Sequence, residues 1–388
     1  MSPRPGARGR GRACRPPAAR ATGVAERLAG KRICIVAGAG GVGKTTASAA
    51  LALGLAASGK RVAVVTIDPA RRLAESLGLD ELGNDPRQVD PALLASHGVE
   101  LQGELWAMML DPKATFDDLI ASLSPDAQTR DEVLGNRIYQ QFSGAVAGSQ
   151  EFSAVAKLYD LHHDGDFDVL VLDTPPSRNA LDFLDAPDRL TEFFEGRALK
   201  VLLVPTGIAA KVVSRGASVV FSILRRLTGV DLMNDIAVFL RALSGVLDGL
   251  KERAAGVKAL LADPATTFLI VTSPEREPVA EAIFFHGKLR EAGMAFGGLI
   301  VNRVNVAGPP DEEAEAVRAQ LVRDGLDDAI AAKVADSVAD LQRLAARDAL
   351  QIERLRVELG EPDPIVVARL DGEVQDIDGL LALRDALM

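Results

Sequence analysis

The segment Gly38-Ala39-Gly40-Gly41-Val42-Gly43-Lys44-Thr45-Thr46 places glycines at both ends of the pattern G-x-x-x-x-G-K-[ST], directly after the apolar run 33–36. Glycines at those positions let the backbone fold tightly and aim successive N–H groups at a phosphate chain. A helix opening near Lys44 would add its positive N-terminal end. Lys44 would reach the outer phosphates as a point charge, and the Thr45 hydroxyl would help hold a Mg2+ ion that keeps most of its waters. The ligand this chemistry implies is a nucleoside triphosphate.

Two carboxylates end apolar runs of strand length. Asp68 follows the run 61–66 and precedes Pro69-Ala70-Arg71-Arg72. There it could orient the water that attacks a terminal phosphate, and it also reads as the cap of a helix starting at Pro69; the two roles are compatible. Asp173 closes the run 169–172 and precedes Thr174-Pro175-Pro176-Ser177-Arg178-Asn179. An acid at the end of a buried strand beside a phosphate loop holds the metal's waters, and the loop after it is placed to sense the terminal phosphate.

The elements that would position these groups follow from the apolar pattern. Runs at 32–37, 61–66, 104–110, 168–172, 267–271, 298–301 and 364–368 are short and often β-branched, with stretches long enough for crossover helices between them. That is the pattern of an α/β protein with a doubly wound, mostly parallel sheet buried on both faces, of the P-loop type. Ligands of such sheets gather at the carboxyl ends of the strands, so Lys44, Asp68, Asp173 and Asn302 fall on one edge. Two segments are too long for simple crossovers, about 111–166 and 176–264, and both carry apolar residues at helical spacing. They predict helical insertions above the nucleotide edge, the second apolar over more than one face and suited to an apolar protein client or a membrane component. The acidic, alanine-rich run 311–359 predicts a solvated helical crossover.

Composition narrows the classes. With 388 residues, 48% hydrophobic, the chain can bury a sizeable core, and its net charge of −10 gives no general attraction to nucleic acid or an anionic membrane. Cys14 and Cys34 are too few for a disulfide framework or a cysteine metal site, which points to a reducing, cytoplasmic setting. The histidines 97, 162, 163 and 286 lack metal-site spacing, and His162-His163 reads as a solvated loop. No stretch of 18 uncharged apolar residues predicts a membrane span. The six arginines before residue 22, mixed with Pro and Gly, predict a disordered basic arm over 1–25 and an ATPase domain over 26–388.

Together, Gly40–Thr46, Asp68-Pro69-Ala70 and Asp173-Thr174-Pro175-Pro176 resemble the arsenite-pump ATPase (ArsA) family, whose relatives include the tail-anchored membrane-protein targeting ATPases. The resemblance runs from about residue 30 to the C-terminus. It implies a homodimer, or a heterodimer with a related ATPase, closing around ATP and Mg2+ and driving change in a helical subdomain. It implies further that Gly38, Gly40, Gly41, Val42 and Gly43 cradle the nucleotide and that Lys44 holds phosphates. Thr45 would take the Mg2+, Thr46 the inner phosphate, Asp68 the attacking water, Asp173 the metal shell and Asn302 the adenine. The family's cross-dimer lysine position is Ala39 here, and its metalloid cysteines and zinc-clasp Cys-x-x-Cys pair are missing. Charge lost at Ala39 is expected from Arg178, with Arg72 the other candidate, or from a partner subunit. The expected activity is Mg-dependent ATP hydrolysis coupled to anion transport or membrane-protein targeting. The alternative is a partitioning or positioning ATPase of the same P-loop class, which the acidic final segment 376–387 disfavours.

Overall fold

The computed structural model describes residues 23–68, 71–142, 149–174, 246–307, 314–361, 363–370, 374 and 376–388. Their strands are β1 (Ile33–Ala37), β2 (Arg61–Thr66), β3 (Arg87–Gln88), β4 (Glu104–Met109), β5 (Val169–Asp173), β6 (Thr266–Thr272), β7 (Phe296–Val304) and β8 (Ile365–Ala368). They form one sheet in the order β3-β4-β2-β5-β1-β6-β7-β8. Every pairing is parallel except β3 with β4. This is the mostly parallel α/β sheet that the apolar runs predict. β3 escaped sequence reading because two exposed polar residues on an edge carry no apolar signal.

Each central strand is buried on both faces, yet its side chains still alternate between them. Ile33, Ile35, Ala63, Val65, Leu170, Leu172, Phe268 and Ile270 belong to one core. Cys34, Val36, Val62, Val64, Val169, Val171, Leu269 and Val271 belong to the other. The first core is closed by the helices Pro112–Leu123, Ser149–Asp164, Leu247–Ala262 and Arg276–Glu291, through residues such as Phe116, Phe152, Val257 and Phe285. The second is closed by Lys44–Ala57 and Ile377–Leu387, through Leu51, Leu53, Leu380 and Leu383. Burial pushes the Cys34 thiol up to about 12, so it packs as a small apolar side chain.

The Lys44–Ala57 helix is rich in alanine, and small side chains let it lie close to the sheet. A Cβ at Gly54 would come within 2.7 Å of the Met388 side chain. A Cβ at Gly23 would lie 2.1 Å from the Met388 carbonyl oxygen, so the first and last described residues touch. Val24 is already fully buried, so the packed body starts two residues before the expected boundary at 26.

Four helices run through 112–164, with Asp111 and Asp126 side chains capping the first two by accepting from Ala114 and Thr129 N–H. Of the segment 176–264, the structure describes only residues from 246 onward, where Leu247–Ala262 is helical. The run 311–359, expected to be a solvated helical crossover, is described from 314 onward as a helical hairpin of Ala314–Arg323 and Asp328–Leu359. Gly325 turns it in the left-handed region (φ 95°), and Asp327 caps the second helix by accepting from Ala329 N–H. His162 and His163 sit in the last turn of Ser149–Asp164 rather than in a loop, His163 stacked on Tyr159. Among the described residues no helix is long and apolar enough to cross a membrane.

Candidate functional site

The phosphate loop follows β1, where the chain leaves the middle of the sheet: β1 lies between β5 and β6, while the next strand in sequence, β2, lies beyond β5. Connections therefore diverge to either side and leave a crevice at the strand ends. Gly38 allows the loop to pass hard against β6, since a Cβ there (φ 153°) would lie 2.0 Å from the Val271 carbonyl oxygen. Gly41 turns at φ 76° toward open space, and Gly43 caps the Lys44–Ala57 helix at φ 94°. A Cβ on Gly43 would lie 2.4 Å from Asn302 Nδ2. Asn302, at the end of β7, donates from that nitrogen to the Val42 carbonyl at 2.9 Å, which ties β7 to the loop.

Register sets the acidic side of the site. Asp173 ends β5 beside Val36 of β1 and Thr66 of β2. It is fully buried, and its Oδ2 accepts from Thr45 Oγ1 at 2.7 Å and from Thr66 Oγ1 at 2.9 Å. The Thr66 hydroxyl also accepts from the Asp68 backbone N–H at 3.2 Å. One chain of contacts thus joins the loop's threonine, the strand-end acid and the start of the Asp68 turn. Asp173 Oδ1 is buried and has no hydrogen-bond partner. Burial raises the carboxyl to about 6, while the two hydroxyls and the Lys44 ammonium hold it down.

Lys44 is buried as well, and its Nζ donates to the Ala39 carbonyl at 2.8 Å. Burial lowers its pKa, while Asp173 and then Asp68 raise it. Ala39, where the resemblance led one to expect a lysine, therefore offers Lys44 a backbone acceptor.

Gly41, Gly43, Lys44, Thr45, Thr46, Asp68 and Asn302 all line one cleft of about 780 Å3, together with Arg72, Glu75 and Thr174. Asp173 lies beneath its floor. Gly40 is exposed on the loop and Val42 is buried behind it. Arg178 and the loop that carries it lie outside the described residues. The described helix after Asp68 begins at Arg72 with Arg71 as its N-cap, and the expected helix start at Pro69 lies outside the described residues. Sequence reading missed Thr66, whose only signal was a hydroxyl ending a strand two residues before an acid. It also missed Arg303 and Arg369, which line the far end of the cleft.

A buried carboxylate oxygen without a donor, beside a threonine hydroxyl, fits a hard divalent cation that takes its other ligands from phosphate and water. Among the described residues there is no group of three or more His, Cys, Asp or Glu that could hold a metal.

The family model described as "Anion-transporting ATPase" matches residues 31–342. "ATPase get3" of Aspergillus terreus is 34% identical over 159 residues, 40% of this chain and 43% of that protein. "ATPase ARSA1" of Chlamydomonas reinhardtii is 29% identical over 324 residues, 76% of this chain and 38% of that protein. The chain thus spans well under half the length of these two curated relatives.

Proposed function

The chain belongs to the anion-transporting ATPase family, and on that premise we propose that it is a Mg-dependent ATPase whose turnover drives a conformational change for anion transport or membrane-protein targeting. The observation that carries the reading is the contact chain Thr45–Asp173–Thr66–Asp68 under a glycine-built phosphate loop. Thr45 Oγ1 and Asp173 Oδ1 would hold Mg2+, which when bound supplies positive charge between the outer phosphates. Lys44 adds a second positive charge from a buried position, where attraction to phosphate is little screened. Gly38 to Thr46 wrap the phosphates with backbone N–H groups, Thr46 reaching the inner one. Asp68 lines the cleft and orients the attacking water or accepts its proton. Thr66 links the two acids, so a shift at Asp173 is felt at the Asp68 backbone.

The working protein is a cytoplasmic dimer, with itself or with a related ATPase, and its cargo is an anion or an apolar protein segment. Support comes from the family and the two named ATPases. Arg178 or Arg72 supplies the charge missing at Ala39. Asp68→Asn tests the core of the reading: calorimetry should find ATP affinity within about threefold of wild type, while phosphate release drops at least ~100-fold. Hydrolysis at the wild-type rate would remove Asp68 from the reaction.

A further inference from the structure

β7 slips against β8 near its end. Val301 faces Val366 and Val304 faces Ala368, so three steps along β7 match two along β8, and Asn302-Arg303 form a bulge. Bulges re-aim side chains and recur beside binding sites. Within this one, Arg303 has φ 58°, the only positive φ at a non-glycine position among the described residues. A residue with a Cβ holds that conformation only when its surroundings impose it.

The surroundings do so through named bonds. Asn302 Oδ1 accepts from Arg303 N–H at 2.9 Å, and Arg369 N–H donates to the Val304 carbonyl at 2.9 Å. Past the bulge, Asp348 of the long Asp328–Leu359 helix accepts from Asn305 N–H at 2.9 Å and from Asn305 Nδ2 at 2.7 Å. The outcome is an exposed arginine lining the cleft, with no hydrogen bond or ion pair from its guanidinium among the described residues.

The direction of the cleft says what Arg303 meets. Asp68 and Asp173 lie on the β2–β5 side of β1, so an outer phosphate held there sends the rest of a nucleotide the other way, toward β7 and β8. Asn302 uses one Nδ2 hydrogen on the Val42 carbonyl and one Oδ1 lone pair on Arg303 N–H, which fixes its side chain and leaves one donor and one acceptor for a base. A planar, weakly hydrated guanidinium stacks on an aromatic face or donates to a ring nitrogen, features that adenine and guanine share.

We propose that Arg303 is the base anchor of this site: its guanidinium packs on the purine and holds the nucleoside half through an attraction that adenine and guanine share. The proposal rests on the nucleotide-binding reading above. It is tested by titrating ATP, GTP and inorganic tripolyphosphate, each with Mg2+, into wild type, Arg303→Asn, Arg303→Gly and Arg303→Lys. Asn and Gly tolerate the left-handed backbone, so the bulge is kept while the guanidinium is lost. Affinity for ATP and for GTP should fall by the same roughly tenfold factor in both variants, with tripolyphosphate unchanged within about twofold. Lys, charged but not planar, should restore only part of the loss. Tripolyphosphate weakening in step with ATP would make Arg303 a phosphate clamp and overturn the proposal, as would a loss confined to one purine or none at all. A wild type that binds tripolyphosphate but no purine nucleotide would instead overturn the nucleotide reading itself.

Discussion

Asp173 shows how one buried residue at the proposed metal position can oppose folding. Its native carboxyl keeps a proton up to about pH 6, whereas an unfolded one loses it near 3.8. The native state therefore binds more protons between those values, and stability falls as pH rises through the window. Above it, the buried charge costs on the order of 2–3 kcal/mol in the metal-free protein. Asp173→Asn should recover most of that at pH 7.5 and gain nothing below about pH 4, where the wild-type carboxyl is neutral too. Urea unfolding in EDTA across pH 4–8 would show it; a gain that does not vary with pH would mean that desolvation is not its source. The motif made Asp173 visible in the sequence. Its raised pKa was not visible, because that depends on which strands flank β5.

At the scale of elements, the long Asp328–Leu359 helix reaches the site through one residue. Asp348 is fully buried, accepts twice from Asn305 and is paired with Arg347 at 2.9 Å. Removing it would strand the Asn305 N–H and leave an arginine without its partner. Asp348→Ala should cost about 2–4 kcal/mol, with Asp348→Asn milder because an amide oxygen still accepts. Urea midpoints at unchanged m-value would measure this, and a cost under about 0.5 kcal/mol would mean that β7 holds its bulge unaided. Such a residue is hidden from sequence reading. In an acidic, alanine-rich helix nothing separates a buried aspartate from its solvated neighbours. The helical crossover was legible there but its split into a hairpin was not, and Ile330, Val334, Leu341 and Leu344 are exposed apolar side chains along it. Strands β1, β2 and β5 were legible almost to the residue, because burial on both faces leaves continuous apolar runs. β7 proved longer than its apolar stretch: it runs on through the Asn302-Arg303 bulge to Val304, which pairs with Ala368 of β8, and composition does not record that pairing.

For the whole molecule, the contact between Gly23 and Met388 has a consequence for how the chain is threaded. Among the described residues, positions 23 and 388 lie side by side, and nothing in the sheet order requires the chain to be opened between them. A permuted chain would join 388 to 23 through a short flexible linker, omit residues 1–22, and open instead at Gly325. That glycine lies at an exposed turn, far in sequence from the phosphate loop. Exposed tips tolerate new ends when few contacts cross them. The rearranged protein should unfold cooperatively and bind ATP within about threefold of the original, by calorimetry. Loss of cooperative unfolding would mean that the hairpin must be continuous for the body to assemble. If the permuted chain behaves as expected, the order of elements in this sequence is one of several that the same sheet accepts.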